Sequence, residues 1–372
     1  MRVIDRYLIK EVLYALLAVT PILLLIFISN RFLSYLAEAA AGKLPGAVIF
    51  TLLGLKSIGV LALILPLVFY LSVVFALGRL YKDSEMTVLA ACGVGPLQVL
   101  KTILLPATAL AVLVAILAMY VAPWAGSQSK QVRQQAEAGS ELSTLLPGRF
   151  KESRQGDHIF YAEELSSDYQ FMRNVFVQSR QHGKLNILSS ERGVQQIDKV
   201  SGDQYVVLKD GNRYEWTPGQ TDFKIINYKK YTLRVEQREP APAEETQEVK
   251  RTATLLDSGK PEDIAELQWR LSIAISTILL AMLGVGLART TPRQGRYAKL
   301  FVAILAYIIY NNMMGVARSW VAHGVVSPAV GIWWVHGLLL LVIGVIFMHQ
   351  TGFLSQLSSR RTVPFGPQSK VV

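Results

Sequence analysis

The stretch Val12-Leu-Tyr-Ala-Leu-Leu-Ala-Val-Thr-Pro-Ile-Leu-Leu-Leu-Ile-Phe-Ile-Ser-Asn30 contains no charged residue. As a helix rising about 1.5 Å per residue, it is long enough to cross a hydrocarbon layer of roughly 30 Å. Working outward, further charge-free runs occupy Ser57–Gly78, Thr102–Ser129, Leu271–Ala288, Leu300–Ala317 and the chain from Ser319 as far as Arg360, the last with its apolar core around Gly331–Met348. One such run could be a buried core helix, but six in a chain of 372 residues point to a membrane bundle. Hydrophobic residues make up 51% of the chain and charged residues 17%, less charge than a soluble chain of this length needs for its surface.

Lys and Arg orient the spans. Arg2, Arg6 and Lys10, then Arg79, Lys82 and Lys101, then Arg289, Arg293, Arg296 and Lys299, and finally Arg360, Arg361 and Lys370 all fall on one side if the chain crosses six times. That side is expected to be the cytoplasm, with both termini in it and residues 124–269 outside. No convincing small-residue cleavage site accompanies the first apolar run, which reads as an uncleaved anchor. Residues 124–269 hold 20 Lys/Arg and 22 Asp/Glu, leaving 18 and 5 for the rest. The formal net charge of +11 therefore belongs to the membrane part and is poor evidence for nucleic-acid binding. The single cysteine, Cys92, excludes an intramolecular disulfide and is expected in a reducing cytoplasmic loop.

The outer segment changes period. Runs beginning at His158, Phe171, Lys184, Gln204, Asn212 and Thr221 are short and of β type, separated by turn signals such as Asp210-Gly211-Asn212 and Pro218-Gly219. Strands so spaced imply a sandwich, jelly roll or open barrel. Pro, Ala, Glu and Thr dominate Glu239 to Glu248, a linker composition. Pro261-Glu-Asp then suits the start of a short helix feeding the fourth span. The expected fold is an α-helical transmembrane bundle of six spans with an inserted all-β domain. Its parts are three spans in 1–123, the β-domain in 124–269 with a linker at 239–262, three spans in 270–349 and a cytoplasmic tail in 350–372.

Two loops between spans carry content. In Lys82-Asp-Ser-Glu-Met-Thr-Val-Leu-Ala-Ala-Cys-Gly, Asp83 or Ser84 can cap a short helix over about 84–92, Glu85 favours its first turn, and Gly93 can close it. Met86, Val88, Leu89 and Ala90 make it apolar. It either plugs a groove on another protein or packs on its own bundle. The second loop, Thr290-Thr-Pro-Arg-Gln-Gly-Arg, is polar and basic, as expected of positive-inside flanking charge.

No catalytic constellation is found. A phosphate-cradling Gly-x-x-x-x-Gly-Lys motif, a nucleophile elbow and a helical His-x-x-x-His pair are all missing, and His158, His182, His323, His336 and His349 are scattered. They read as surface or interfacial residues, so neither a metal nor a cofactor is expected in this chain.

Five cations depart from the cytoplasmic pattern: Arg31, Lys43, Lys56, Arg270 and Arg318. All but Lys43 lie within or at the outer ends of spans, with Glu38 as the only local opposing acid. Charge at that depth is costly and commonly functional, although long side chains can also snorkel to the headgroups. Together these residues suggest an anionic amphiphile held near the outer leaflet.

The chain resembles the LptF/LptG permease family, the membrane subunits of the ABC transporter that extracts lipopolysaccharide from the bacterial inner membrane. The resemblance covers nearly the whole chain. It rests on the three-domain-three layout, Ile4-Asp-Arg-Tyr-Leu-Ile-Lys-Glu, Leu80-Tyr-Lys-Asp-Ser-Glu-Met-Thr-Val-Leu-Ala-Ala-Cys-Gly, Glu266-Leu-Gln-Trp-Arg and Pro292-Arg-Gln-Gly-Arg. The second and last of these stretches look more like the F-type subunit than the G-type. The resemblance implies a periplasmic β-jellyroll, a G-type permease partner, an LptB ATPase dimer that binds the ATP, and LptC docked on the jellyroll. It implies that Glu85, with Asp83, Ser84, Met86 and Leu89 around it, couples to the ATPase. It also implies that Arg31 faces lipid A phosphates, with Lys56, Arg318 and Arg270 as further candidates. A second basic residue found in some relatives three positions after the first is Ser34 here. The expected function is a transport subunit without catalysis of its own. The alternatives are a permease acting by mechanotransmission on a periplasmic partner, and a membrane-anchored scaffold that carries no lipid.

Overall fold

The computed structural model describes residues 3–41, 44–138, 147–152, 158–166, 171–181, 184–197, 204–218, 223–235, 246–289 and 296–350. Lys43, His182, most of the Thr290–Arg296 loop, most of the Pro/Glu-rich linker and the tail beyond Gln350 lie outside them. The first half holds α1 (Val3–Ala40), α2 (Ile49–Lys82), α3 (Glu85–Ala91), α4 (Pro96–Ile116) and α5 (Ala122–Ala138), with one π-turn, Leu117–Val121, between the last two. Six strands follow: β1 (Lys151–Glu152), β2 (His158–Leu165), β3 (Phe171–Gln181), β4 (Lys184–Ile197), β5 (Gln204–Trp216) and β6 (Phe223–Val235). Helices α6 (Thr252–Ser258), α7 (Pro261–Ala288), α8 (Arg296–Ala322) and α9 (Trp333–Gln350) complete the described chain.

Among the described residues six helices are long and apolar enough to cross a membrane, three before the sheet and three after it. This is the expected bundle with an inserted β-domain. The fourth span starts earlier than its charge-free run, because α7 is continuous from Pro261 instead of following a separate short helix. The segment expected as linker contains α6, whose Leu255 is almost fully buried.

The chain divides into two compact units. One comprises Met1–Ile28, Leu55–Ser127 and Glu245–Val372, and the other Ser29–Gly54 and Gln128–Glu244. In the first, Phe69, Tyr70, Val73, Leu77 and Leu80 of α2 meet Leu279, Leu280 and Leu283 of α7 and Ile103 of α4 in one core. Gly284 allows the close approach, since a Cβ there would lie 3.2 Å from both Tyr70 and Val73. The Tyr70 hydroxyl, deep in this core, donates to the Ala303 carbonyl on α8 at 3.1 Å. The large apolar side chains left exposed on α1, α8 and α9, such as Leu17, Leu25, Phe301, Ile309 and Leu341, suit a lipid solvent.

In the second unit the strands form one sheet in the order β1-β2-β3-β4-β5-β6, each antiparallel to its neighbour in sequence. Ala162, Met172, Val175, Val177, Leu188, Val206, Leu208 and Tyr228 share one buried face, and burial there pushes the Tyr228 phenol above its ordinary pKa. Two expected boundaries differ. Asp210-Gly211-Asn212, read as a turn between two strands, lies inside the continuous strand β5, and β4 runs on well beyond Leu188. The reason is a crease. At one row across the sheet two consecutive residues point outward in every long strand: Glu163 and Glu164, Arg173 and Asn174, Glu191 and Arg192, Lys209 and Asp210, Lys229 and Lys230. Asn174 and Asp210 take left-handed backbone angles, φ 49° and 54°, to make the slip. Inward alternation resumes one residue out of phase.

Gly211 sits beside the crease, where a Cβ would come within 2.3 Å of the Ser189 carbonyl and 2.7 Å of the Tyr228 hydroxyl. Gly211→Ala should therefore destabilise the sheet by about 1–3 kcal/mol. Protease digestion of the detergent-solubilised full chain should then cut within 204–235 sooner than in wild type. Gly59→Ala, with nothing within 4 Å of its Cβ, is the control and should cut at the wild-type rate.

Candidate functional site

The sequence directs attention to two ends of the membrane unit. At the end where α2 turns into α4, α3 lies between them. Ser84 precedes α3 in a left-handed conformation, φ 62°, and its side chain makes no capping hydrogen bond. The expected side-chain cap is not formed, because αL geometry lets the backbone itself turn the corner. Gly93, φ 86°, closes the helix as expected, with the Gly93 amide donating to the Ala90 carbonyl and the Val94 amide to that of Leu89. Met86 is buried in the core and Leu89 packs against it, so these two face their own bundle. Val88 remains 62% exposed, and Asp83 is exposed as well. Glu85, half-buried, accepts the Tyr7 hydroxyl of α1 at 2.7 Å. An outward apolar surface on α3 thus reduces to Val88 and its small neighbours Thr87, Ala90 and Ala91.

At the other end, where α7 begins, the cations are not opposed by Glu38 alone. Glu266, one turn before Arg270, bridges two of them. Its Oε1 accepts Arg270 Nε at 2.9 Å and its Oε2 accepts Arg318 Nη2 at 2.7 Å. Arg270 is 3% exposed, and all three of its nitrogens donate within the chain. Nη1 reaches the Thr252 hydroxyl at 3.0 Å, while Nη2 reaches the carbonyls of Gln247, Glu248 and Lys250 at 3.1, 3.2 and 3.1 Å. The Thr252 hydroxyl in turn donates to the Met119 carbonyl within the π-turn, where α-helical pairing is interrupted. Lys250 pairs with the buried Asp263 at 2.8 Å and Gln247 with Glu262 at 2.7 Å. Together these bonds fasten residues 247–252 to the start of α7. Arg318 is less enclosed; its guanidinium lies 5.1 Å from the Trp269 ring centroid and 3.7 Å from the exposed Glu248.

Lys56 is exposed on α2 of the membrane unit, and Arg31 is exposed in the other unit. Glu38, also in that unit, pairs with Arg133 at 2.7 Å. The structure thus brings Arg270 and Arg318 together on one carboxylate, which the sequence reading did not pair with them.

A further buried polar group was missed. His336 on α9 is not a surface residue. Its Nδ1 lies 2.9 Å from the Tyr310 hydroxyl on α8 and its Nε2 3.0 Å from the Ser272 hydroxyl on α7, tying three spans together. The available signal was a lone imidazole near the start of an otherwise apolar span, where a polar group needs a partner.

Comparison with known proteins bears on these features together. Residues 6–349 match the family described as lipopolysaccharide export system permease LptF/LptG. The chain is similar to the lipopolysaccharide export system permease protein LptF of Escherichia coli (strain K12), 28% identical over 92% of this chain and 94% of the relative, and equally to that of Shigella flexneri. It is also similar to LptG of Escherichia coli (strain K12), 24% identical over 53% of this chain and 57% of the relative. With six membrane-length helices around an inserted β-domain, this is a multi-pass inner-membrane protein, and it belongs to the lipopolysaccharide export system permease LptF/LptG family.

Proposed function

We propose that this chain is one of two permease subunits of an ABC transporter that extracts lipopolysaccharide from the inner membrane. The observation that carries the reading is the family match over residues 6–349. The partner in this reading is a G-type permease, ATP is bound and hydrolysed by a separate LptB dimer, and LptC docks on the β-domain. The α3 end faces the cytoplasm and the β-domain the periplasm. ATP-driven closure displaces α3, the cavity between the two permeases narrows, and lipid moves towards the β-domain. Arg31 binds a lipid A phosphate, and in the membrane unit Lys56 and Arg318 are further phosphate-binding residues; an Arg fork suits a phosphate through paired charge-assisted bonds. Arg270, enclosed by its own chain, serves instead to fix Glu266 and the 247–252 segment.

Release of lipopolysaccharide from proteoliposomes tests the function. The reconstituted complex should release it in an ATP-dependent manner, and Arg31→Ala should slow release by about tenfold, the value of one charged hydrogen bond. Arg31→Lys should lose less. No ATP-dependent release by the wild-type complex would favour a scaffold; unimpaired release by Arg31→Ala would reduce Arg31 to a snorkelling cation.

Topology is checked by single cysteines at Lys229, exposed on β6, and Ser369 in a Cys92→Ser background. An impermeant maleimide applied to spheroplasts should label the first and spare the second, and labelling of both would refute the orientation. For coupling, Glu85→Arg should reduce copurification of the ATPase several-fold while the bundle stays folded, because the charge reverses on an exposed helix whose core contact is Met86. Wild-type copurification would remove Glu85 from that interface.

A further inference from the structure

Helix α1 meets the rest of the membrane unit most closely through its first turns, while Ala15, Leu16 and Leu23 further along are only partly buried against the same core. Leu8 and Val12 are completely buried, whereas no residue from Leu13 to Ile28 is. The same turns carry three polar ties to three different elements. Asp5 accepts the Thr102 hydroxyl of α4 at 2.7 Å, Tyr7 donates to Glu85 of α3 at 2.7 Å, and Glu11 pairs with Arg79 of α2 at 2.6 Å. Asp5, Leu8 and Val12 recur at helical spacing, as do Tyr7 and Glu11, so both sets sit on adjoining faces of one helix. Of the three ties, only Tyr7 reaches α3. Helix α1 then runs without a break to Ala40 and carries Arg31 on the way.

We propose that Tyr7 is a positioning residue that passes displacement of α3 into α1 through its bond to Glu85. The inference rests on the reading of α3 as the coupling helix and adds a route from it that the family resemblance does not supply. A carboxylate offers about four lone-pair sites on two oxygens. Accepting the Tyr7 hydroxyl on Oε2 therefore leaves Glu85 able to accept a cation or amide of the ATPase at the same time. One side chain then joins the ATPase to α1. Because the central turns of α1 bury no residue fully and pack on this unit's core through the partly buried Ala15, Leu16 and Leu23, they resist a push or tilt applied at its first turns less than a fully buried helix would. The Ser84 side chain supplies no cap, so the acid at the first position of α3 is held from α1 instead.

The test uses the full chain assembled with its permease partner and ATPase in nanodiscs containing lipopolysaccharide. ATP hydrolysis and lipopolysaccharide release to an acceptor are measured in the same preparation. Tyr7→Phe keeps the ring and removes only the donor. It should leave the ATPase bound and turning over near the wild-type rate, while release per ATP falls about threefold or more, the effect of one lost hydrogen bond. Glu85→Gln still presents an acceptor to Tyr7, so it should keep release per ATP while weakening ATPase association. Tyr7→Phe with Glu85→Ala should be no worse per ATP than Glu85→Ala alone, since Tyr7 acts only through that acid. Unchanged release per ATP in Tyr7→Phe, a parallel fall in hydrolysis and release, or an additive loss in the double variant would each overturn the proposal. Glu85→Ala with normal ATPase association and turnover would instead overturn the coupling-helix reading, and this inference with it.

Discussion

A carboxylate buried between two guanidinium groups, Glu266 between Arg270 and Arg318, anchors one whole end of the membrane unit. An ion this deep loses its hydration, and the loss is tolerable only when every lone pair and proton finds a partner. Arg270 meets that condition by donating to Glu266, to Thr252 and to the carbonyls of Gln247, Glu248 and Lys250. The chain returning to the bundle is wrapped around the guanidinium and thereby given a fixed path. Thr252 extends the network to the carbonyl of Met119 in the π-turn. Removing Glu266 would leave two cations without their shared acid, so this end is cooperative.

The two ends of the unit are built differently. Around α7 the ties are buried and charged. Around α3 they are exposed or half-exposed single bonds on the rim of an apolar contact made by Met86, Leu8 and Val12. Exposed pairs in water are individually weak and exchange readily, which suits a segment that must change partners. Between the ends, polar groups facing hydrocarbon have no water to fall back on, and His336 is accordingly bonded through both ring nitrogens.

The spans were legible because freedom from charge over about 18 residues is a long-range property that no local irregularity hides. The strands were harder. Their period-two signal breaks at the crease, so Asp210-Gly211 looks like a turn when each strand is considered alone; only the neighbouring strands, slipping at the same row, show it to be a step in a continuous ladder. Glu266 escaped for another reason. A boundary drawn at residue 269 puts Glu266 in the outer domain and Arg270 in the membrane, and so splits a pair one helical turn apart. The Arg318 partnership spans 52 residues, and no spacing rule reaches it. Met86 and Val88 are equally apolar in the sequence, and only packing tells which of them faces inward.

Strand order has a consequence for how the inserted domain is made. Each strand pairs with the one just before and the one just after it. Closing each hairpin costs the entropy of a short loop, and no strand must wait for a distant partner. Without cysteines, assembly has no oxidation step to await. The sheet can therefore grow strand by strand in the order of synthesis, each new hairpin templated on the edge left by the last. By the time α7 is made, β6 has already joined the sheet.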